Sequence, residues 1–109
     1  MANVLREQLV QEDYICDTAR DGKEGLEKSL SASPDLIILD LMMPVMDGFA
    51  VIEKLRADER GKNIPVIVLS NINNAKTVEE MRAKGAQEYL VKVNNSLADI
   101  VAAVNRLLK

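Results

Sequence analysis

The sequence predicts an α/β domain in which a parallel sheet carries helices on both faces. Three observations lead there. Residues 36–39 and 65–69 are continuous aliphatic runs, the pattern of strands covered on both sides rather than on one. Stretches with apolar residues at helical spacing stand before, between and after these runs, and strands alternating with helices of this length form βαβ units. The runs end in Asp40 and Ser70, and a third, shorter run at residues 89–91 ends in Lys92. Carboxyl ends of parallel strands share one edge, where open α/β sheets collect their chemistry.

The elements follow in order. Val4, Leu5, Leu9 and Val10 share a stripe on a helix over residues 2–12. Residues 14–19 read as a strand, with Tyr14, Cys16 and Thr18 on one side and Ile15, Asp17 and Ala19 on the other. Asp21-Gly22 marks a turn. A helix over residues 23–31 packs Leu26 and Leu30 and stops before Pro34. The strand at residues 36–39 comes next, then a helix over 48–58 with Phe49, Ile52 and Leu55 inward. Pro65 is tolerated at the start of the strand it opens. Residues 71–75 are a polar connector to a helix over 76–84, for which Gly85 is the C-terminal cap. The last strand spans 89–93, and Asn94, Asn95 or Ser96 caps a final helix bearing Leu97, Ile100, Val101, Val104, Leu107 and Leu108.

The 109 residues make one domain, 1–109, long enough to bury a core without disulfides or a structural metal. A net charge of -3 and an aromatic content of 3% exclude a basic nucleic-acid footprint and leave few platforms for base stacking. One cysteine and no histidine exclude an internal disulfide and a His/Cys zinc site. No apolar stretch is long enough to span a membrane, and the N-terminal residues lack the apolar segment of a signal peptide. A cytoplasmic protein with no direct nucleic-acid or membrane partner is expected.

Asp40 is the strongest candidate for chemistry. A carboxylate can attack a phosphoryl group and form an acyl phosphate, a reaction that needs positive charge near the phosphoryl oxygens. Lys92 is placed to supply a fixed cation, Ser70 a hydroxyl donor, and Met42 a backbone carbonyl for a metal ion. Asp35 lies at the far end of its strand. Gly22 and Gly25 form no nucleotide fingerprint, and neither a P-loop nor a histidine base is present, so an independent enzyme is not expected.

Asp21-Gly22, the segment Pro34-Asp35-Leu36-Ile37-Ile38-Leu39-Asp40, Met43-Pro44-Val45-Met46-Asp47-Gly48, Ile64 to Ser70, Gly85-Ala86 and Tyr89-Leu90-Val91-Lys92 together resemble a response-regulator receiver domain, the phosphoacceptor module of two-component signalling. The resemblance covers essentially the whole chain. It implies a flavodoxin-like fold with sheet order 2-1-3-4-5, Asp40 as phosphoacceptor, Ser70 as switch hydroxyl, Lys92 as the family lysine and Tyr89 as the rotating aromatic. It also implies Mg2+ as cofactor and a histidine kinase or an output protein as partner.

The departures are specific. A receiver begins with an apolar strand ending in two adjacent acids that hold Mg2+, and this chain begins at the first helix. Glu7 and Glu12 belong to that helix, so Asp40 and the Met42 carbonyl are the protein ligands that remain, and Mg2+ is expected to bind weakly or not at all. Val93 stands where the family has a proline after its lysine, and Asn71 where it has a small residue. The truncated domain can move residues 14–19 beside residues 36–39, associate through the gap, or fold in part. A rearranged four-stranded parallel sheet in a homodimer is the expectation. Phosphoacceptance is expected to be weakened or lost, the alternative being a non-phosphorylated, natural or engineered, dimerisation or protein-binding module.

Overall fold

The computed structural model describes residues 2–109, with side chains from Val4 onward. Helix α1 (Ala2–Gln11) leads through residues 14–19 to α2 (Gly22–Ala32). Then come β1 (Ile37–Leu39), α3 (Gly48–Ala57), β2 (Val66–Ser70), α4 (Ala75–Ala83), β3 (Glu88–Val91), a 3-10 turn at Lys92–Asn94, and α5 (Leu97–Leu108).

The sheet is parallel and three-stranded, in the order β1-β2-β3. This corrects the four-stranded sheet expected from the sequence. Residues 14–19 do not form a strand, and no backbone hydrogen bond joins them to β1 among the described residues. Their side chains nevertheless alternate: Tyr14 and Cys16 are half-buried while Ile15 and Asp17 are exposed, the period of an extended chain. The reason they do not slide over to β1 lies in their anchors. Tyr14 Oη donates to Asn105 Oδ1 of α5 at 2.6 Å, Arg6 Nε of α1 donates to the Cys16 carbonyl at 3.1 Å, and Lys28 Nζ of α2 donates to the Thr18 carbonyl at 2.8 Å. Moving the segment to β1 means breaking its ties to three packed helices. A slot of about 590 Å3 therefore remains between residues 14–19 and β1.

The covering layers follow from strand alternation. Val66 and Val68 of β2 pack with Leu26 of α2, Val51, Ile52 and Leu55 of α3, and Met81 of α4. Ile67 and Leu69 face the other way, onto Leu5 and Leu9 of α1 and Ile100, Val101 and Val104 of α5. All five residues of β2 are buried, as its unbroken aliphatic run predicts. The helix ends are fixed by side-chain caps: Asp21 for α2, Asp47 for α3, Asn74 for α4, and a capping box of Ser96 and Asp99 for α5. Arg56 ties the layer edges together, donating to the carbonyls of Gly61, Lys84 and Gly85 at 2.8, 3.2 and 2.9 Å. No helix among the described residues is long and apolar enough to cross a membrane.

Candidate functional site

Asp40 follows β1, Ser70 ends β2 and Lys92 follows β3, so in-register parallel pairing brings all three to one sheet edge. Lys92 Nζ reaches across to Asp40 Oδ2 at 2.6 Å, a charge-assisted contact at the short end of the range. Both side chains are about one-third exposed, Lys92 at 27% and Asp40 at 34%, so the pair is open to solvent. The other carboxylate oxygen, Asp40 Oδ1, accepts from the Met42 N–H at 2.9 Å. Lys92 is not the strand residue expected from the sequence. β3 ends at Val91, and Lys92 opens the 3-10 turn that aims its side chain back over β2, with Asn95 Nδ2 bonded to the Val91 carbonyl at 2.9 Å.

The loop behind Asp40 is tightly built. Met46 N–H donates to the Pro44 carbonyl at 2.7 Å across Val45, whose φ is 67°. That γ-turn holds a β-branched residue in the left-handed region, which is costly and clusters at functional loops. Two close approaches need glycine. A Cβ on Gly48 would lie 2.5 Å from the Asp40 carbonyl oxygen, and one on Gly22 would lie 1.7 Å from the Met46 carbonyl oxygen. The first lets α3 start directly behind Asp40, and the second seats the start of α2 against the loop.

Ser70 and Tyr89 are placed differently from Lys92. Ser70 is fully buried, and its Oγ accepts from the Ile72 N–H at 3.1 Å. Tyr89 Oη donates to the Ile72 carbonyl at 2.6 Å. Neither bonds to Asp40 or Lys92 among the described residues; both clasp Ile72, in the connector between β2 and α4. Ile72, Val45 and the Gly22–Met46 approach are the site features that sequence reasoning did not single out. Asp21-Gly22 was readable as a turn, but the partner it touches is remote in sequence.

The residues present do not make a Mg2+ site. Mg2+ takes a near-octahedral set of oxygen donors. Here the one carboxylate at the sheet edge already has one oxygen on an ammonium and the other on a backbone N–H. No group of three or more His, Cys, Asp or Glu is placed to hold a metal ion among the described residues.

Comparisons with known proteins agree on one kind of molecule. Residues 1–105 match the family model described as the response regulator receiver domain. The chain is 32% identical over 109 residues to the response regulator ArlR of Staphylococcus aureus, covering all of this chain and 48% of that protein. It is 40% identical over 105 residues to hybrid signal transduction histidine kinase D of Dictyostelium discoideum, covering 93% of this chain and 6% of the relative. It is 38% identical over 96 residues to the DNA-binding regulator RpaA of a Synechocystis strain, covering 88% of this chain and 39% of the relative. The chain thus spans less than half the length of these curated relatives. Among solved structures, the chemotaxis protein CheY4 of Vibrio cholerae superposes with a TM-score of 0.87 at 31% identity, covering 97% of this chain and 88% of that one. The receiver domain of the Francisella response regulator 1452 superposes with a TM-score of 0.88 at 30% identity, covering 97% and 85%. A receiver domain of histidine kinase PA1611 from Pseudomonas aeruginosa, 24% identical and alike in fold, is described with a magnesium ion in its active site cleft.

Proposed function

This chain belongs to the response regulator receiver domain family, and we propose from that premise that it is a phosphoacceptor module of a two-component phosphorelay whose transfer is slow. Receiver domains are signalling modules rather than enzymes in their own right. The observation that carries the reading is the 2.6 Å contact of Lys92 Nζ with Asp40 Oδ2 at the carboxyl edge of the sheet. In the proposed step, Asp40 attacks the phosphorus of a phosphohistidine. An Oδ–P bond forms as the N–P bond breaks, and the histidine nitrogen leaves with the bond pair. Lys92 stays protonated and neutralises part of the phosphoryl charge. Ser70 then turns its hydroxyl from Ile72 toward the phosphoryl oxygens, and Tyr89 moves with the released connector, as a shift between two packed states. Slow transfer follows from the donor set: one carboxylate, engaged on both oxygens, holds no divalent ion to share the charge. A histidine kinase upstream, an output protein downstream and a cytoplasmic setting complete the reading, with residues 1–109 as one receiver unit.

The test is incubation with acetyl phosphate or phosphoramidate, with and without Mg2+, followed by intact mass. A slow gain of one phosphoryl group, little changed by Mg2+ and lost in Asp40→Asn, supports the reading. No gain after hours, or the same gain in Asp40→Asn, refutes it.

A second reading, a protein-binding module with a homodimer as its simplest form, is favoured by the open edge of β1 beside the slot. Sedimentation with and without a fluoride phosphate mimic separates the two. A mimic-independent dimer favours this reading, and a monomer whose shape changes only with the mimic favours phosphate sensing.

A further inference from the structure

Strand alternation sorts the groups at the sheet edge by face. Ile38, Leu69 and Leu90 pack on the side of α1 and α5, whereas Leu39, Val68 and Tyr89 pack on the other side. Successive side chains of a strand point to opposite faces. The next position on the α1–α5 side is therefore Asp40 after β1, Asn71 after β2 and Lys92 after β3. Ser70 belongs to the opposite side, where it is fully buried with its Oγ on the Ile72 N–H. The register gives the same grouping. Ser70 pairs with Val91, so one step further Asn71 lies level with Lys92. Strands lie about 4.8 Å apart, so β1 and β3, on either side of β2, are about 9.5 Å apart. The Lys92 side chain closes that distance to reach Asp40 Oδ2 at 2.6 Å, and in doing so it crosses the end of β2 on the face where Asn71 stands. Nearby asparagines are committed: Asn74 caps α4, and Asn95 holds the Val91 carbonyl. Asn71 is exposed, and among the described residues its carboxamide has no such duty.

We propose that the Asn71 carboxamide binds the phosphoryl group during its transfer to Asp40, donating from Nδ2 to an equatorial oxygen beside Lys92, a role that deepens the phosphoacceptor reading above and rests on it. Asp40 Oδ1 is held by the Met42 N–H, so Oδ2, on the Lys92 side, is the oxygen that attacks. Charge then spreads over three equatorial oxygens, each of which needs a donor. Lys92 supplies one. Ser70 supplies another only after its hydroxyl has left Ile72. Asn71 has no bond to give up, so its donor is in place before the connector moves. A carboxamide suits the position. It is neutral and does not draw Lys92 away from Asp40, and its NH2 group offers two donors. The chemical step is unchanged: the Oδ2–P bond forms as the bond to the leaving group breaks, and Asn71 exchanges no proton. Asn71, which departs from the small residue of the family, is on this account a donor and not an obstruction.

The test compares the wild type with Asn71→Ala and Asn71→Asp, each labelled with acetyl phosphate and with phosphoramidate and followed by intact mass. Losing a hydrogen bond to a charged group costs about a factor of ten or more in rate, so Asn71→Ala is expected to slow labelling by about tenfold. Asn71→Asp keeps the shape, removes the donor and adds a negative charge, and is expected to slow labelling further. The factor is expected to be the same for both reagents, because they share the phosphoryl group and differ in the leaving group. The urea midpoint of Asn71→Ala is expected to match the wild type, since the side chain is exposed. Unchanged or faster labelling of Asn71→Ala overturns the proposal, and faster labelling would mean that the side chain obstructs the site. A loss confined to one reagent overturns it by assigning Asn71 to the leaving group, and a loss that tracks a lowered urea midpoint overturns it by assigning Asn71 to the fold. A wild type that takes no phosphoryl group refutes the phosphoacceptor reading and this proposal with it. A wild type labelled at Asp40 and matched by both variants refutes this proposal alone.

Discussion

Gly22→Ala tests how the start of α2 supports the loop behind Asp40. A Cβ at this position would sit 1.7 Å from the Met46 carbonyl oxygen, 2.7 Å from the Met46 carbonyl carbon and 3.0 Å from Val51 Cγ2. The nearest atoms are backbone, so no flexible side chain can swing away. Separating the new methyl group from Met46 to the 3.0 Å floor of real contacts needs more than about 1 Å of movement. Either α2 lifts off the loop or the γ-turn at Val45 opens. Overpacking of this kind costs about 1–3 kcal/mol. Alanine returns at most about 1 kcal/mol of helix propensity, and less in a first turn. The expected net loss is roughly 1–2 kcal/mol, with Tm lower by about 5–15 °C for a domain of this size.

The control lies one turn along the same helix. A Cβ on Gly25 meets only the Ala19 Cβ at 3.4 Å, an ordinary contact, so Gly25→Ala is expected to leave stability unchanged or raise it by up to about 1 kcal/mol. Urea and thermal unfolding followed by far-ultraviolet circular dichroism measure both variants. Gly22→Ala at wild-type stability would refute the argument, since α2 would then not be seated on the loop. An equal loss in Gly25→Ala would refute it too, because the effect would come from the helix and not from Met46.

Three further outcomes follow from named contacts. Val45→Gly relieves the left-handed strain of an exposed β-branched residue and is expected to raise stability by about 1 kcal/mol after the entropy of the added glycine, read from the urea midpoint. Tyr89→Phe removes the 2.6 Å bond to the Ile72 carbonyl and is expected to lower stability by about 1 kcal/mol, with faster amide exchange across residues 71–74. Stability is expected to stay level from about pH 5 to 8, since the chain has no histidine. It should fall below about pH 4, because Arg60 beside Asp58, and the Thr18 N–H and Lys28 beside Asp17, hold those carboxyls below their ordinary values. A depressed carboxyl stabilises the fold above its unfolded pKa and loses that contribution as pH drops through the folded one. A urea midpoint that moves between pH 5 and 7 would exclude this cause.

What was legible in the sequence was what local pattern encodes. β2 could be read from its unbroken aliphatic run, the helices from their spacing and caps, and Asp40, Ser70 and Lys92 from their place after strands. The alternation of residues 14–19 was also readable and is present in the structure. Their failure to pair was not, because a ladder depends on what lies one strand-width away, and three side chains from α1, α2 and α5 hold them off. The turn at Lys92 escaped notice because Val91 and Val93 look alike in an apolar run, although one closes the strand and the other is 76% exposed. The Ile72 clasp escaped because a connector has no period. Its two partners, Ser70 and Tyr89, were singled out for other reasons.

The alignment of the site and the placement of residues 14–19 have different supports, although the slot between those residues and β1 is lined in part by Asp40 and Lys92. Asp40, Ser70 and Lys92 are aligned by the β1-β2-β3 register, which depends on the buried central strand and on helices packed across its two faces. Residues 14–19 and the start of α2 meet that unit through α1, α5 and the loop behind Asp40 rather than through the sheet. Separation of β1 from β2 would therefore carry Asp40 away from Lys92, whereas a shift of residues 14–19 would leave the three groups aligned.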